Sequence, residues 1–455
     1  MLDLRQKKVL VIGMARSGQA ALRFLAGSGA RVTAADLKRE EELGKEFQEL
    51  KKLPATFVTG GYPPVRPGEY DLIIVSPGVP PTIPPVKRAR DFGIPVWSEL
   101  ELAARFIKQP IIAVTGTNGK TTTTSLLGFI FQKAGIRCVV AGNIGVPLIQ
   151  EVERINKSGE HVAYWIVEVS SFQLELIAAF RPWIAVFLNL TPDHLDRHGT
   201  LENYGKIKAR IFENQGPGDF AVLNRDDPWL AKMPSRLKSQ VYWFSRLGIP
   251  NQGIGREGDR IVFARQGEKE ILCTTRDISL PGPHNLENAL AAAAASLLAG
   301  VEKEAVVQAL STFPGVPHRL ELVRIVNRVK YINDSKGTNP ESVLKALDAY
   351  QEPIILIAGG KNKGSDFRLL AEKIQERVKA LILLGEAAPL IREAVRATGF
   401  SQIREAASLA EAVRIAHSFA RPGDVVLLSP ACASWDMFRD FEERGDLFRQ
   451  LVAQL

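Results

Sequence analysis

A chain of 455 residues, 45% hydrophobic and 24% charged, has material for about three buried cores and lacks the bias of a disordered or fibrous protein. Its formal charge of +8 favours anionic partners, but the lysines and arginines are interleaved with acids and form no long basic run, so small anionic substrates fit better than nucleic acid. The three cysteines, Cys138, Cys273 and Cys432, have no paired spacing, and no apolar run reaches membrane-spanning length; with no secretory pattern at the start, a soluble, reducing-compartment protein is expected, without disulfides, a zinc ribbon or a membrane partner.

Residues 8–13 form an apolar strand that ends in Gly13-Met-Ala-Arg-Ser-Gly18 and passes into an amphipathic helix reaching about Gly27. This approximates a dinucleotide fingerprint, with Ala15 at its middle position, and Asp36 closes the next strand at about the spacing where an acid meets a ribose. A plain strand-to-helix turn, with Asp36 only ending a strand, reads the same residues without a ligand. A third strand, 71–75, runs into Ser76-Pro-Gly-Val-Pro-Pro at the carboxyl edge of the sheet, and the first domain is expected to close near residue 98.

The strongest local signal lies at 111–125. There an apolar strand meets Thr-Gly-Thr-Asn-Gly-Lys-Thr and a helical pattern follows. Gly116, Thr117, Asn118, Gly119 and Thr122 supply backbone amides for a polyphosphate, Lys120 a mobile cation and Thr121 a hydroxyl for Mg²⁺, although Val114 stands where the usual loop has its first glycine. Further strands are expected at 137–140, 164–167 and 183–189. Glu168, at the end of one of them, is a carboxylate candidate for nucleotide-bound Mg²⁺.

His194 and His198 are four apart, but no third residue at metal spacing follows, so a zinc site is disfavoured; His194 reads as a metal or substrate contact and His198 as a solvated loop residue. Lys206, Lys208 and Arg210 on a helix at about 201–214 read as a charged, solvated face. Short strands at 220–223, 241–244, 261–263 and 271–273 suggest a meander added to the central sheet. Asn285 and Asn288 open an alanine-rich helix, where they either cap it or hold a purine and ribose.

Pro and Gly on both sides of residue 315 mark a boundary, with Arg319 just beyond. Strands then alternate with helices, and their polar ends carry Asp334, Lys336 and Thr338, then Lys361 and Lys363, then Ser429 to Ser434. Parallel strands bring such ends to one rim, which concentrates lysines for an anionic substrate. Cys432 reads as a small buried residue, and an amphipathic helix is expected over 436–448, with Phe438 and Phe441 in the core or walling a pocket. The fold class is α/β in three domains: a Rossmann-like domain at 1–98, a central P-loop domain with appended small strands at 99–315, and a second Rossmann-like domain at 316–455.

The motifs at 115–121, 168–175 (Glu-Val-Ser-Ser-Phe-Gln-Leu-Glu), 189–196 (Asn-x-x-x-Asp-His-Leu-Asp), 284–289 (His-Asn-x-x-Asn-Ala), 317–319 (Pro-His-Arg) and 333–339 (Asn-Asp-Ser-Lys-x-Thr-Asn) resemble, in order and spacing, the Mur ligase family of peptidoglycan synthesis. Within it, the Gly-Met-Ala-Arg-Ser-Gly turn, Gly-x-x-Lys-Gly-x-Asp-Phe at 360–367 and Ser-Pro-Ala-Cys-Ala-Ser-x-Asp-x-Phe at 429–438 are similar to members that join D-glutamate to UDP-N-acetylmuramoyl-L-alanine with ATP. The resemblance implies a UDP site at Arg16, Ser17, Gly18, Asp36, Lys38, Ser76 and Gly78, with Asn143, Ser170 and His194 also on the substrate. It puts ATP on the loop at 116–122 with Asn285, Asn288, Arg319 and Asp334, and two Mg²⁺ ions on Thr121, Glu168, His194 and Lys208.

Lys336, Thr338, Lys363, Ser434 and Phe441 would form the D-glutamate pocket, and Lys120, His194, Lys208 and Arg319 would serve catalysis. The resemblance also implies more for Lys208 than a solvated face: four residues after Tyr204, it would carry a CO₂-derived carbamate and so act as a metal ligand. The implied enzyme is a cytoplasmic monomer. Rival readings are a sibling amide ligase such as a folylpolyglutamate synthase, an NAD-dependent oxidoreductase built on the first glycine turn, and a nucleotide-gated binding module.

Overall fold

A computed structural model describes residues 2–455. Its first sheet holds β1 (Lys8–Ile12), β2 (Arg31–Asp36), β3 (Ala55–Thr59), β4 (Leu72–Val75) and β5 (Val96–Ser98), all parallel, in the order β3-β2-β1-β4-β5. The two strands that sequence patterning locates best, β1 and β4, are central and buried on both faces, as their continuous apolar runs require. The run at 71–75 is the fourth strand, not the third. Edge strand β3 is threonine-rich and only partly buried, and β5 is three residues long, so neither carries a strong apolar signal.

The second sheet holds β6 (Ile111–Thr115), β7 (Cys138–Gly142), β8 (Tyr164–Glu168), β9 (Ile184–Phe187), β10 (Phe220–Asn224), β11 (Gln240–Ser245), β12 (Gly253–Glu257), β13 (Arg260–Arg265) and β14 (Glu268–Thr274). Their order is β14-β13-β12-β11-β10-β9-β6-β8-β7. The expected meander is narrower than the sequence suggests. Strands β10 and β11 extend the parallel sheet, and only β12, β13 and β14 pair antiparallel. Since β6 lies between β8 and β9, the loops leaving these three strands share one edge, where open α/β sheets bind ligands.

These two sheets belong to one compact unit, made of the chain up to Ile278 with Glu287–Thr312. One continuous core joins them: Leu22, Phe24 and Leu25 from the helix after β1 cluster with Ile149, Val152 and the inner residues of the second sheet. Buried acids at the N-terminus of helix Glu99–Ala104 reinforce the junction. The Glu101 carboxylate accepts the backbone N–H groups of Ala178, Ala179 and Phe180, and Glu99, pushed by burial up to about 7, accepts from Ile149 N.

The other unit is Ser279–Leu286 with Phe313–Leu455. Its sheet holds β15 (Glu321–Val326), β16 (Val329–Asn333), β17 (Ile354–Gly359), β18 (Val378–Leu384), β19 (Ile403–Glu405) and β20 (Val425–Leu428), in the order β15-β16-β20-β17-β18-β19 with only β15 antiparallel. Apolar clusters cover both faces of this sheet. The last helix starts later than its amphipathic pattern implies, at Phe441 and not at 436, because Asp440 caps it by accepting from Glu443 N while Met437 N and Phe438 N close a turn on the Ser434 carbonyl. Among the described residues no helix is long and apolar enough to cross a membrane.

Candidate active site

Strand β6 delivers Thr115 to a turn in which Gly116 and Gly119 take φ values of +153° and +86°, a backbone that side chains resist. Helix Lys120–Lys133 then begins with no side-chain cap, so its first amides are not satisfied by a capping oxygen. The turn is clamped from beyond β9. Asn118 N donates to Asn189 Oδ1 at 2.9 Å, Asn189 Nδ2 donates to Asn118 O at 3.1 Å, and Thr117 Oγ1 both donates to Thr191 O and accepts from Thr191 N. Asn288 lies beneath, accepting from Thr123 Oγ1, and a Cβ built at Gly119 would overlap its Oδ1.

Gly119→Ala therefore combines a disfavoured φ with a collision. We expect nucleotide affinity to fall by roughly tenfold or more, the equivalent of about 1–3 kcal/mol of strain, with little change in secondary structure. Titration with a fluorescent ATP analogue checks this, and unchanged binding would show that Asn288 yields freely.

Two lysines share one acceptor at this turn. Lys120 Nζ lies 2.9 Å from the carbonyls of Gly116 and Thr117, and Lys208 Nζ lies 2.8 Å from the same Gly116 carbonyl. The charged-face reading of Lys208 is overturned by helix Leu201–Ala209, which turns Tyr204, Gly205 and Lys208 inward and leaves Lys206 outside near Glu202. Lys208 is 1% exposed and lies over the Tyr204 ring. Burial foremost, then the charge of Lys120, holds its pKa well below the usual lysine value, against the weaker opposing pull of Asp193 and Glu168. Burial thus favours the neutral, nucleophilic form of this amine.

Glu168 ends β8 with its side chain buried; Oε1 accepts from Asn143 Nδ2 at 2.7 Å, and Oε2 has no protein partner. A buried, unpartnered carboxylate oxygen is a natural ligand for a hard cation, and the fully parallel register sets it beside β6 opposite Val114. His194, held at φ +50°, packs its half-exposed ring on Phe172. Among the described residues no three His, Cys, Asp or Glu side chains converge into a ready-made cation cage. His198 is not solvated. It is buried between Phe172 and Tyr204 with Nε2 3.1 Å from Ser171 Oγ, and burial lowers its pKa, so it supports the aromatic wall.

In the first sheet, the turn after β1 is built by the residues that pattern reading assigned to a nucleotide. Ser76 Oγ donates to Gly13 O at 2.7 Å, Gly18 leaves no space for a side chain beside that carbonyl, and Asp36 accepts from Met14 N and Lys38 N. Arg16, Lys38 and Gly78 stand exposed around this frame, with Ser17 half-buried. Ser170 is engaged locally, capping its own short helix with Gln173. Arg197 connects this region to the second sheet: its guanidinium lies over Phe172, pairs with Glu175 and donates to Val79 O at 3.0 Å.

The second unit gathers its own polar cluster. Asp334 is buried and pushed up to about 6 by desolvation, partly offset by Ser429 Oγ at 2.6 Å and the charge of Arg319, whose Nε is buried without a protein partner. His318 and Leu320, on either side of Arg319, hold φ values of +61° and +44°. Lys336 Nζ lies 5.4 Å from the centroid of the Phe441 ring, Thr338 is half-buried nearby in the chain, Ser434 is buried, and Lys363 is exposed on a separate loop. Asn285 donates to Pro281 O at 2.7 Å.

Three family models match in order along the chain: a Mur ligase MurD-like N-terminal domain at 7–98, the Mur ligase middle domain at 114–296 and a Mur ligase glutamate ligase domain at 318–432. The chain belongs to the Mur ligase family. It is 54% identical to the UDP-N-acetylmuramoylalanine–D-glutamate ligase of Pelotomaculum thermopropionicum, covering 100% of this chain and 99% of that one. Identity to the protein of that name from Desulfitobacterium hafniense is 47%, over 99% and 98% of the two chains. A UDP-N-acetylmuramate–alanine ligase from Thermotoga maritima shares the fold, with a TM-score of 0.58 at 20% identity over 98% and 99% of the two chains.

In this Mur ligase, three contributors escaped sequence reading. Asn189 and Thr191 brace the phosphate turn, and only the polar end of a buried strand hinted at them. Arg444, buried in the last helix, donates to Ser335 O and Oγ and to the Cys432 carbonyl, tying two loops of the second unit together. An arginine in an amphipathic pattern gives no such signal. The oxidoreductase reading falls with the family assignment, and the glycine turn after β1 is part of a ligase.

Proposed function

We propose that this Mur ligase joins D-glutamate to UDP-N-acetylmuramoyl-L-alanine, converting ATP to ADP and phosphate. The arrangement that carries the chemistry is the pair Lys120 and Lys208 on the Gly116 carbonyl, at an uncapped helix start and within electrostatic reach of Glu168. The curated relatives that match the full chain supply the substrate. In this reading the substrate carboxylate takes the γ-phosphoryl group to give an acyl phosphate, the D-glutamate amine attacks the acyl carbon, and phosphate leaves the tetrahedral intermediate as the amide forms.

Each unit has its own task. In the first, residues 1–98 hold the UDP moiety with Arg16, Ser17, Gly18, Asp36, Lys38, Ser76 and Gly78, and the turn from Gly116 to Thr122 holds the triphosphate with Asn288 beneath it. Lys120, swung from its own loop carbonyls onto phosphate, neutralises charge that would repel an attacking carboxylate. Asn143 orients Glu168 through the 2.7 Å amide contact, and Ser170 caps the short helix that follows β8. In residues 316–455, Arg319 and Asp334 serve the nucleotide, and Lys336, Thr338, Lys363, Ser434 and Phe441 receive the carboxylates of D-glutamate.

Thr121, Glu168, His194 and Lys208 would hold two Mg²⁺ ions, which when bound supply charge neutralisation at the phosphates. Glu168 and His194 make too small a donor set alone, and the chemistry of Lys208 answers this. Its neutral amine attacks CO₂, a C–N bond forms, one proton leaves, and the resulting carbamate is an anion where a cation is expected from sequence. This assignment of Lys208 rests on its burial and depressed basicity. The reading also places the enzyme in the cytoplasm as a monomer, which light scattering at one chain's mass would test.

A coupled assay of ADP formation with UDP-N-acetylmuramoyl-L-alanine and a panel of amino acids tests the function. Turnover should require D-glutamate. Preference for L-alanine, L-lysine or diaminopimelate would assign the chain to a sibling reaction, and background ADP release with every combination would overturn ligase chemistry.

A further inference from the structure

Helix Leu201–Ala209 has two working faces. Its inner face carries Lys208, and its outer face, with Glu202, Lys206 and Ala209, walls a cavity of about 370 Å³ that none of the substrates above uses. Opposite lies the segment 229–238, so that Trp229, Phe212, Met233 and Leu237 form an apolar interior and Lys232 and Lys238 stand at its edge. The volume falls in the range of small-molecule sites, and apolar walls with a few charged groups are their usual composition.

Charge defines what would fit. The two carboxylates that line the cavity are engaged by the protein itself: Glu202 accepts from Trp229 Nε1 at 2.9 Å and lies 3.6 Å from Lys206, and Glu213 pairs with Arg210 at 2.7 Å. Lys232 and Lys238 have no ion-pair partner among the described residues. A flat apolar body would pack on the indole, and an attached anion would reach a lysine.

The cavity wall is mechanically continuous with the phosphate turn. Gly205 abuts the Trp229 indole so closely that a Cβ there would overlap its ring, and Lys208 follows three residues later. Asp227 accepts from Trp229 N and Leu230 N with one oxygen and from Leu190 N with the other, one residue before the Thr191 that clamps Thr117. A displaced indole would therefore be felt both at the Lys208 helix and at the clamp.

We propose that the cavity beside Trp229 is a regulatory site for a flat apolar molecule bearing one carboxylate or sulfonate, and that its occupancy lowers ligase turnover by shifting Lys208. The binding half stands on the cavity alone; the effect on turnover rests on the role given to Lys208 above. The probe is 1-naphthoate, titrated into the full-length enzyme while tryptophan fluorescence is followed.

Saturable quenching is expected, largely lost in Trp229→Phe, with affinity weakened roughly tenfold or more in the Lys232→Glu/Lys238→Glu variant and for neutral 1-naphthalenemethanol. Equal affinity in the double variant, or undiminished quenching in Trp229→Phe, would overturn the site. ADP formation should fall with naphthoate in the unsubstituted enzyme and hold steady in the double variant. Binding that leaves ADP formation unchanged would overturn the coupling, and because fluorescence needs no turnover, that result is separable from failure of the ligase reading itself.

Discussion

Replacing Lys208 by alanine is expected to lower ADP formation by roughly 10³-fold, the scale on which removal of a group acting directly on transition-state charge is felt, while secondary structure is retained. Acetate or another short carboxylate, diffusing into the space left by the side chain, should restore part of the rate, because the missing chemistry is a carboxylate-like anion. Full activity in the variant would rule out the carbamate. The same residue makes a claim about stability. In the unfolded chain its amine titrates near the ordinary lysine value of about 10.4, whereas burial depresses it in the folded protein.

Between those two values the unfolded state binds the extra proton, so the unmodified protein gains stability as pH rises through that window. Lys208→Met removes the titration. The methionine variant should thus match or exceed the parent in thermal midpoint near neutral pH, with the margin shrinking as pH approaches 10. Parallel profiles for the two proteins would show that Lys208 keeps its proton in the fold. A site residue that costs stability and supplies chemistry is what the burial of a lone amine implies.

Arg444→Leu is expected to destabilise the second unit by about 1–3 kcal/mol, the usual cost of leaving buried hydrogen-bonding groups without their partner. The guanidinium donates to Ser335 Oγ at 2.9 Å, to Ser335 O at 2.8 Å and to Cys432 O, and the leucine would leave these acceptors buried and unmatched. Its pKa is held down to about 10 by desolvation. Because the same bonds tie the loop bearing Lys336 to the loop bearing Ser434, the KM for D-glutamate should rise along with the loss of stability. Arg444→Lys should recover little, since one ammonium cannot fork to both loops. Denaturant unfolding and amino-acid saturation curves check both halves; unchanged KM would confine Arg444 to a structural role.

The sequence by itself determined the features that local backbone chemistry controls. Gly116, Gly119, Lys120 and Thr121 fall within six residues, and the left-handed glycine, the helix start and the apolar strand before it are set by neighbours along the chain. The same holds for β1, β4 and the other apolar runs that can only be buried parallel strands. What remained ambiguous depended on partners distant in sequence.

Lys206 and Lys208 are chemically alike and two positions apart, and only the packing of their helix over Gly116, 92 residues earlier, puts one in water and the other in the interior. His198 looked solvated until Tyr204 and Phe172 enclosed it, and Asn189 and Thr191 became a clamp only because β9 pairs beside β6. Burial is decided by the neighbours a residue acquires, and with it the protonation, reactivity and bonding that distinguish a site from a surface. Tertiary structure alone could supply those neighbours.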